Sequence, residues 1–381
     1  MKLRFGTTQG LVVAFAGVGV LVGLVSCGGD GGGGEATPGG PKPIPASSIK
    51  TKAQLGKAFF FDASLSTPKG MSCGTCHVQS RAFTDPRPSP TSAGVLPGTF
   101  GFRNSPSISY MAFSPDFSVG HGEGGAALGG QFWDGRAVDL TAQARFPLLN
   151  PLEMNNPTTD AVVAAVQAGQ YGPLLKKFYG ASIFSDSKAA YDAVVDAIVT
   201  FEKTPEVSPF TSKYDAFLAG EAHLTASETR GLVAFNGKGG CSGCHTSSPG
   251  VDGSPPLFTN FCYANLGLPK NKNNPYYTLP PKYNGFGSGF TDIGLKLTTG
   301  ADADAGNFMT PSLRNVAITA PYFHNGVFAS LNQVVHFYNT RDLGGFDPPE
   351  VPETMDTTEL GNLGLSAQEE SDIVAFLNTL T

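Results

Sequence analysis

The sequence predicts a mainly α protein with long loops, built from two related modules. Three observations predict it. The pentapeptide Cys73-Gly74-Thr75-Cys76-His77 returns as Cys241-Ser242-Gly243-Cys244-His245, each copy follows a segment with Gly and Phe four positions apart, and apolar residues recur at helical spacing elsewhere. The 49 glycines and 29 prolines among 381 residues favour turns over long continuous elements. A 40% hydrophobic share is ordinary for a chain with real cores, and a net charge of −6 gives no electrostatic case for nucleic acid as a partner.

At the N-terminus, Lys2 and Arg4 precede an apolar run, residues 11–25, that is too short and glycine-rich for a comfortable membrane span. Residues 1–27 read as a signal peptide. The run ends in Leu24-Val25-Ser26-Cys27, which resembles a lipobox, so Cys27 is expected to carry a lipid that anchors the chain in the periplasm or cell envelope. An unmodified buried thiol is the plainer alternative. Residues 28–48, rich in Gly and Pro, bury too little apolar surface to offset chain entropy and read as a flexible linker. The folded part is expected to comprise a first module over 49–215 and a second over 216–381.

The elements follow in chain order. Gly56 and Phe60 mark a short helix before the first pentapeptide. Ala190, Val194, Ile198 and Phe201 fall on one face of a helix between the modules. Thr225-Ala226-Ser227-Glu228 is a capping box opening the helix that carries Gly231 and Phe235. A second capping box, Ser366-Ala367-Gln368-Glu369, opens a C-terminal helix with Ile373, Leu377 and Leu380 on one face.

The pentapeptides carry the chemistry. Two thiols one helical turn apart can add to the two vinyl groups of a haem while the adjacent histidine swings under the iron as axial ligand. Structural zinc and paired disulfides also use Cys-x-x-Cys spacing. Two copies of the full pentapeptide in an exported chain favour haem, attached at Cys73 and Cys76 with His77, and at Cys241 and Cys244 with His245. Cys262 is left over and reads as a small buried residue.

Further segments resemble the bacterial di-haem cytochrome c peroxidase and MauG superfamily from about Leu55 to Leu380. They are Leu55-Gly56-Lys57 to Leu65-Ser66, Arg103-Asn104-Ser105-Pro106, Phe132-Trp133-Asp134-Gly135-Arg136-Ala137, Gln143-Ala144 with Asn150-Pro151-Leu152-Glu153-Met154, and Pro311-Ser312-Leu313-Arg314-Asn315 leading to Pro321-Tyr322-Phe323-His324-Asn325-Gly326. The resemblance implies two cytochrome c-like helical domains, with a peroxide-reacting haem on His77 and an electron-transfer haem on His245. It implies Trp133 as a relay between the haems, Glu153 as the acid-base residue for O–O cleavage, and Gln143 as a hydrogen-bond partner for hydrogen peroxide or water. It also implies a calcium ion held by oxygens of Asn104, Thr319 and Pro321, and electrons supplied by a small cytochrome c or copper protein. The plainer readings are a packing tryptophan, a surface glutamate and a turn-capping asparagine.

Two departures bear on the branch of the family. Residues 82–102 contain no histidine, where members of the peroxidase branch carry one that blocks the resting iron. The first haem is therefore expected to be open unless His121 folds back, and His121 reads as a solvated loop residue. Tyr338 stands where that branch has a methionine ligand for the second haem, and MauG-type proteins have tyrosine there. Met309 and Met355 are the alternative ligands, packing is the alternative role for Tyr338, and His336 is expected to point elsewhere. The expected function is reduction of hydrogen peroxide to water; the alternatives are MauG-like oxidation of residues in a partner protein and plain electron transfer.

Overall fold

A computed structural model describes residues 43–250 and 253–381. The signal segment, Cys27 and the linker up to residue 42 lie outside the described residues. In chain order the helices are α1 (Lys52–Phe60), α2 (Cys73–Cys76), α3 (Leu140–Leu149), α4 (Thr159–Ala168), α5 (Gly172–Tyr179), α6 (Ser187–Glu202), α7 (Lys213–Leu218), α8 (Ala226–Asn236), α9 (Pro281–Asn284), α10 (Lys296–Thr299), α11 (Leu331–Thr340) and α12 (Ala367–Asn378). Strands β1 (Tyr263–Ala264) and β2 (Phe308–Met309) pair antiparallel, Tyr263 opposite Met309, and form the one sheet among the described residues. The protein is mainly helical, as the periodicity predicts.

Side-chain caps fix where the principal helices start, because each supplies an acceptor to an amide that the helix leaves unpaired. Thr225 accepts from the Glu228 amide at α8 and Ser366 from the Glu369 amide at α12, both as full capping boxes. Thr51 with Gln54 at α1 and Ser330 with Gln333 at α11 are two more that the sequence reading passed over.

Two hydrophobic cores result. In the first, α1 lies on α6 and buries Leu55, Phe59 and Phe60 against Val194, Ile198 and Phe201, with Cys73 packed on the edge. In the second, α8 lies on α12 and buries Phe235 against Ile373, Phe376 and Leu377, with Cys241 on the edge. The duplicated glycines explain themselves here. A Cβ on Gly56 would sit 1.7 Å from the Ala197 carbonyl oxygen, and one on Gly231 1.9 Å from that of Asp372, so each glycine is the point where two helix backbones cross. Leu380 is buried just beyond the end of α12, and Cys262, expected to be buried, is only partly so.

A buried ion cluster links distant segments. Arg103 pairs with Asp134 at 2.7 Å and with both oxygens of Asp292, also at 2.7 Å, and none of the three side chains is more than 4% exposed. Desolvating three charges is costly and is compensated only by this geometry, so removing one partner costs about 3–5 kcal/mol.

Candidate active site

One continuous cavity runs between the two cores, and both pentapeptides open onto it. At the first, α2 presents Cys73 and Cys76 one turn apart and His77 at its C-terminal end. The His77 Nδ1–H donates to the Phe83 carbonyl at 2.8 Å. At the second, Cys241 begins a 3₁₀ turn and the His245 Nδ1–H donates to the Phe258 carbonyl at 2.8 Å. This bond fixes the tautomer and turns Nε2 away as the ligating nitrogen, an arrangement that metal-bound histidines generally share. Burial pushes both imidazoles down, His245 to about 4, so both are neutral, as ligation requires.

The residues fit a haem at each motif. Burial pushes the Cys76 thiol up to about 11 and that of Cys241 to about 12, so neither is a reactive thiolate on its own. Nor are three or more His, Cys, Asp or Glu side chains grouped to hold a metal ion among the described residues, which disfavours a shared zinc site. The cavity also holds polar atoms without partners: both ring nitrogens of His324 and one oxygen of Glu202. Buried polar groups are otherwise almost always satisfied, and a cofactor with its ordered water would supply what is missing.

The residues singled out on the first side converge on this cavity. Gln143 reaches it from α3, whose start is capped by Asp139. Glu153 reaches it from the turn after α3, its backbone amide bonded to the Asn150 carbonyl and its carboxylate accepting from Asn150 Nδ2 at 2.8 Å. Burial pushes the Glu153 carboxyl up, opposed by the charge of Arg136 and the Asn150 bond. It is a fixed carboxylate facing the cavity rather than a surface one.

Trp133 lines the cavity as well. Its Nε1–H donates to the Asn104 carbonyl at 2.9 Å, the Asn104 amide donates to the His324 carbonyl at 2.7 Å, and the Trp133 carbonyl accepts from the Met309 amide at 2.9 Å. The His324 ring stacks on Phe308 at 3.5 Å and meets Trp133 edge-on at 6.5 Å. Asn104, Thr319 and Pro321 all line the cavity, and Asn104 uses its side-chain NH2 on the Pro90 carbonyl, which leaves the amide oxygen as an acceptor.

On the second side, Tyr338 projects from α11 into the cavity. It shares that cavity with Cys241, Cys244 and His245, and burial, with a smaller contribution from the two sulfurs, pushes its phenol up. Met309 lines the cavity but belongs to β2, next to Trp133. Met355 packs its sulfur against Gly267 and does not line the cavity. His336 points out of it and contacts Glu370 at 3.1 Å, and His121 is exposed, away from the lining.

Sequence reasoning left Arg103, Asp134 and His324 without roles although they lie in quoted motifs, and missed Asp292 and Glu202 altogether. Glu202, at the end of α6, is 5% exposed, and burial alone pushes its carboxyl up to about 8. The folded-state value lies above the ordinary 4.5, so folding favours the protonated acid. That contribution is complete below 4.5 and is lost as pH rises to about 8. Glu202→Gln is expected to flatten the fall in melting temperature over this window and to stabilise the protein at its upper end by up to about 4 kcal/mol. Thermal melts of both proteins across the window check this.

Comparison with known proteins settles the class. Residues 50–223 match the family model described as di-haem cytochrome c peroxidase. The methylamine utilization protein MauG of Paracoccus denitrificans is 38% identical, over 86% of this chain and 88% of its own. The chain belongs to the di-haem cytochrome c peroxidase and MauG family. Another member, the cytochrome c551 peroxidase of Nitrosomonas europaea, is 34% identical over 86% of this chain and 79% of its own. The crystal structure of the diheme peroxidase BthA from Burkholderia thailandensis superposes with a TM-score of 0.77 at 32% identity, over 87% of this chain and 86% of that one. Family membership makes the protein an oxidoreductase and implies two c-type haems, one for each pentapeptide.

Proposed function

We propose that the protein reduces hydrogen peroxide to water at the His77 side of the cavity, using electrons that enter from a small periplasmic cytochrome c or copper protein. The observation that carries this is Glu153, a fixed carboxylate with a raised proton affinity on the cavity wall, together with Gln143 on the same wall. A haem held by Cys73, Cys76 and His77, and another by Cys241, Cys244 and His245, would supply redox-active iron. Glu153 would accept a proton from one peroxide oxygen and return it to the other, which leaves as water, while two electrons from the donor and two protons from solvent carry the remaining oxygen to a second water. Gln143 orients the peroxide by hydrogen bonding. Trp133, tied through Asn104 to the His324 segment, spans the gap between the two sides and carries charge across it.

The two cores are read as two cytochrome c-like domains, divided near residue 215. Tyr338 would help hold the haem on the His245 side, where burial keeps a free phenol protonated and a cation at its oxygen would make it anionic. Asn104, Thr319 and Pro321 supply oxygens suited to calcium. An exported, lipid-anchored chain in the periplasm agrees with residues 1–27.

Tyr338 and the likeness to MauG favour a second reading, oxidation of residues in a partner protein through the same two haems. Steady-state turnover separates the two. Peroxide-dependent oxidation of a reduced small cytochrome c is expected, and Trp133→Phe is expected to slow it roughly tenfold or more while leaving the haem content unchanged. Negligible turnover with every small donor would overturn the peroxidase reading in favour of the second.

A further inference from the structure

A second cavity opens beside the first, and the residues it shares with the haem-side cavity are Phe102, Arg136 and Glu153. Its outer end is at the surface, where it is lined by exposed Lys282 and by Leu297, 52% exposed, on α10. Further in, the lining includes Asn150 and Tyr283. Glu153 therefore faces two spaces, one leading to the first pentapeptide and one leading to solvent.

The partition between them has a fixed part and a movable part. Phe102 is one of a cluster of three rings, 4.8 Å from Tyr276 and 5.4 Å from Phe290, and the Arg103 guanidinium lies over it at 4.2 Å. Arg136 has one strong anchor, an ion pair of 2.8 Å to Asp134, and lies over the Phe132 ring at 3.7 Å. Its side chain is 33% exposed, against 1% for Asp134. A long, part-exposed side chain can change rotamer more readily than a ring packed in a cluster of rings.

We propose that the second cavity is the passage for small neutral hydroxylic molecules between solvent and Glu153, peroxide inward and water outward, and that Arg136 is the positioning residue that narrows its inner end. The chemistry of the lining suits this. Amide, phenol and ammonium groups offer hydrogen bonds along the way to a molecule that is both donor and acceptor. The proposal rests on the reading of Glu153 as the residue that meets peroxide.

The test uses the haem-loaded protein and cyanide, which reaches a vacant iron as the small neutral acid and is followed by its spectral shift in a stopped-flow instrument. Leu297→Trp fills the outer end from an exposed position that touches neither core. It is expected to slow association and dissociation together, by about tenfold, with little change in Kd, as a narrowed passage must. Arg136→Ala is expected to speed association several-fold. Association in Leu297→Trp equal to that of the unmodified protein, or slowed with a matching rise in Kd, overturns the passage; unchanged or slower association in Arg136→Ala overturns the role of that residue. If the unmodified protein binds no cyanide, the reading of an open first site fails instead, so the two failures are distinguishable.

Discussion

Replacing Glu153 by glutamine is expected to slow the reaction with hydrogen peroxide by roughly 10²- to 10⁴-fold, the range that a positioned proton-transfer group contributes. The effect is local. Glutamine keeps the shape and can still accept from Asn150 Nδ2, but it cannot take a proton from the inner oxygen or return it to the outer one. The pH dependence sharpens the test. Burial raises the Glu153 carboxyl above the ordinary carboxylate value, and the ionised form is the one that accepts the proton. The rate in the unmodified protein should therefore fall as pH drops through that raised value, and the slower rate of the variant should be flat over the same window. Stopped-flow measurements at fixed peroxide concentration check both, and an unchanged haem spectrum before mixing would show that the pocket is intact.

Replacing Tyr338 by methionine is expected to raise the reduction potential of the haem on the His245 side by on the order of 200 mV. Axial ligands set haem potentials across about 0.8 V, and a thioether stabilises the ferrous state whereas an anionic oxygen stabilises ferric and higher states. The position allows the exchange, because Tyr338 on α11 lines the same cavity as Cys241 and Cys244 and methionine can fill an irregular apolar space. The second haem should then hold an electron in the resting enzyme and share oxidising equivalents poorly. Spectroelectrochemical titration of both haems checks it. A potential that does not move would mean that Tyr338 packs without ligating.

Much of this was legible in the sequence, because the chemistry that binds a haem covalently is local. Two thiols, a histidine and a helical turn fit within five residues, and capping boxes at Thr225 and Ser366 are local too. The duplicated glycines were visible as a pattern, but their reason was not. It lies in the backbones of Ala197 and Asp372, far away in sequence. The same distance hid Asp292, which matters only because folding brings it to Arg103, and Glu202, whose raised proton affinity comes from burial alone. No spacing rule could have shown that Glu153 and Arg136 border two cavities, since the second is formed with residues of α9 and α10.

Peroxide reduction needs one open site, and rapid mixing of the ferric, haem-loaded protein with one equivalent of hydrogen peroxide reports on it. The Soret band is expected to shift in a fast phase whose rate is proportional to peroxide concentration. A Soret band that stays where it was, with the peroxide still present in solution, would contradict it.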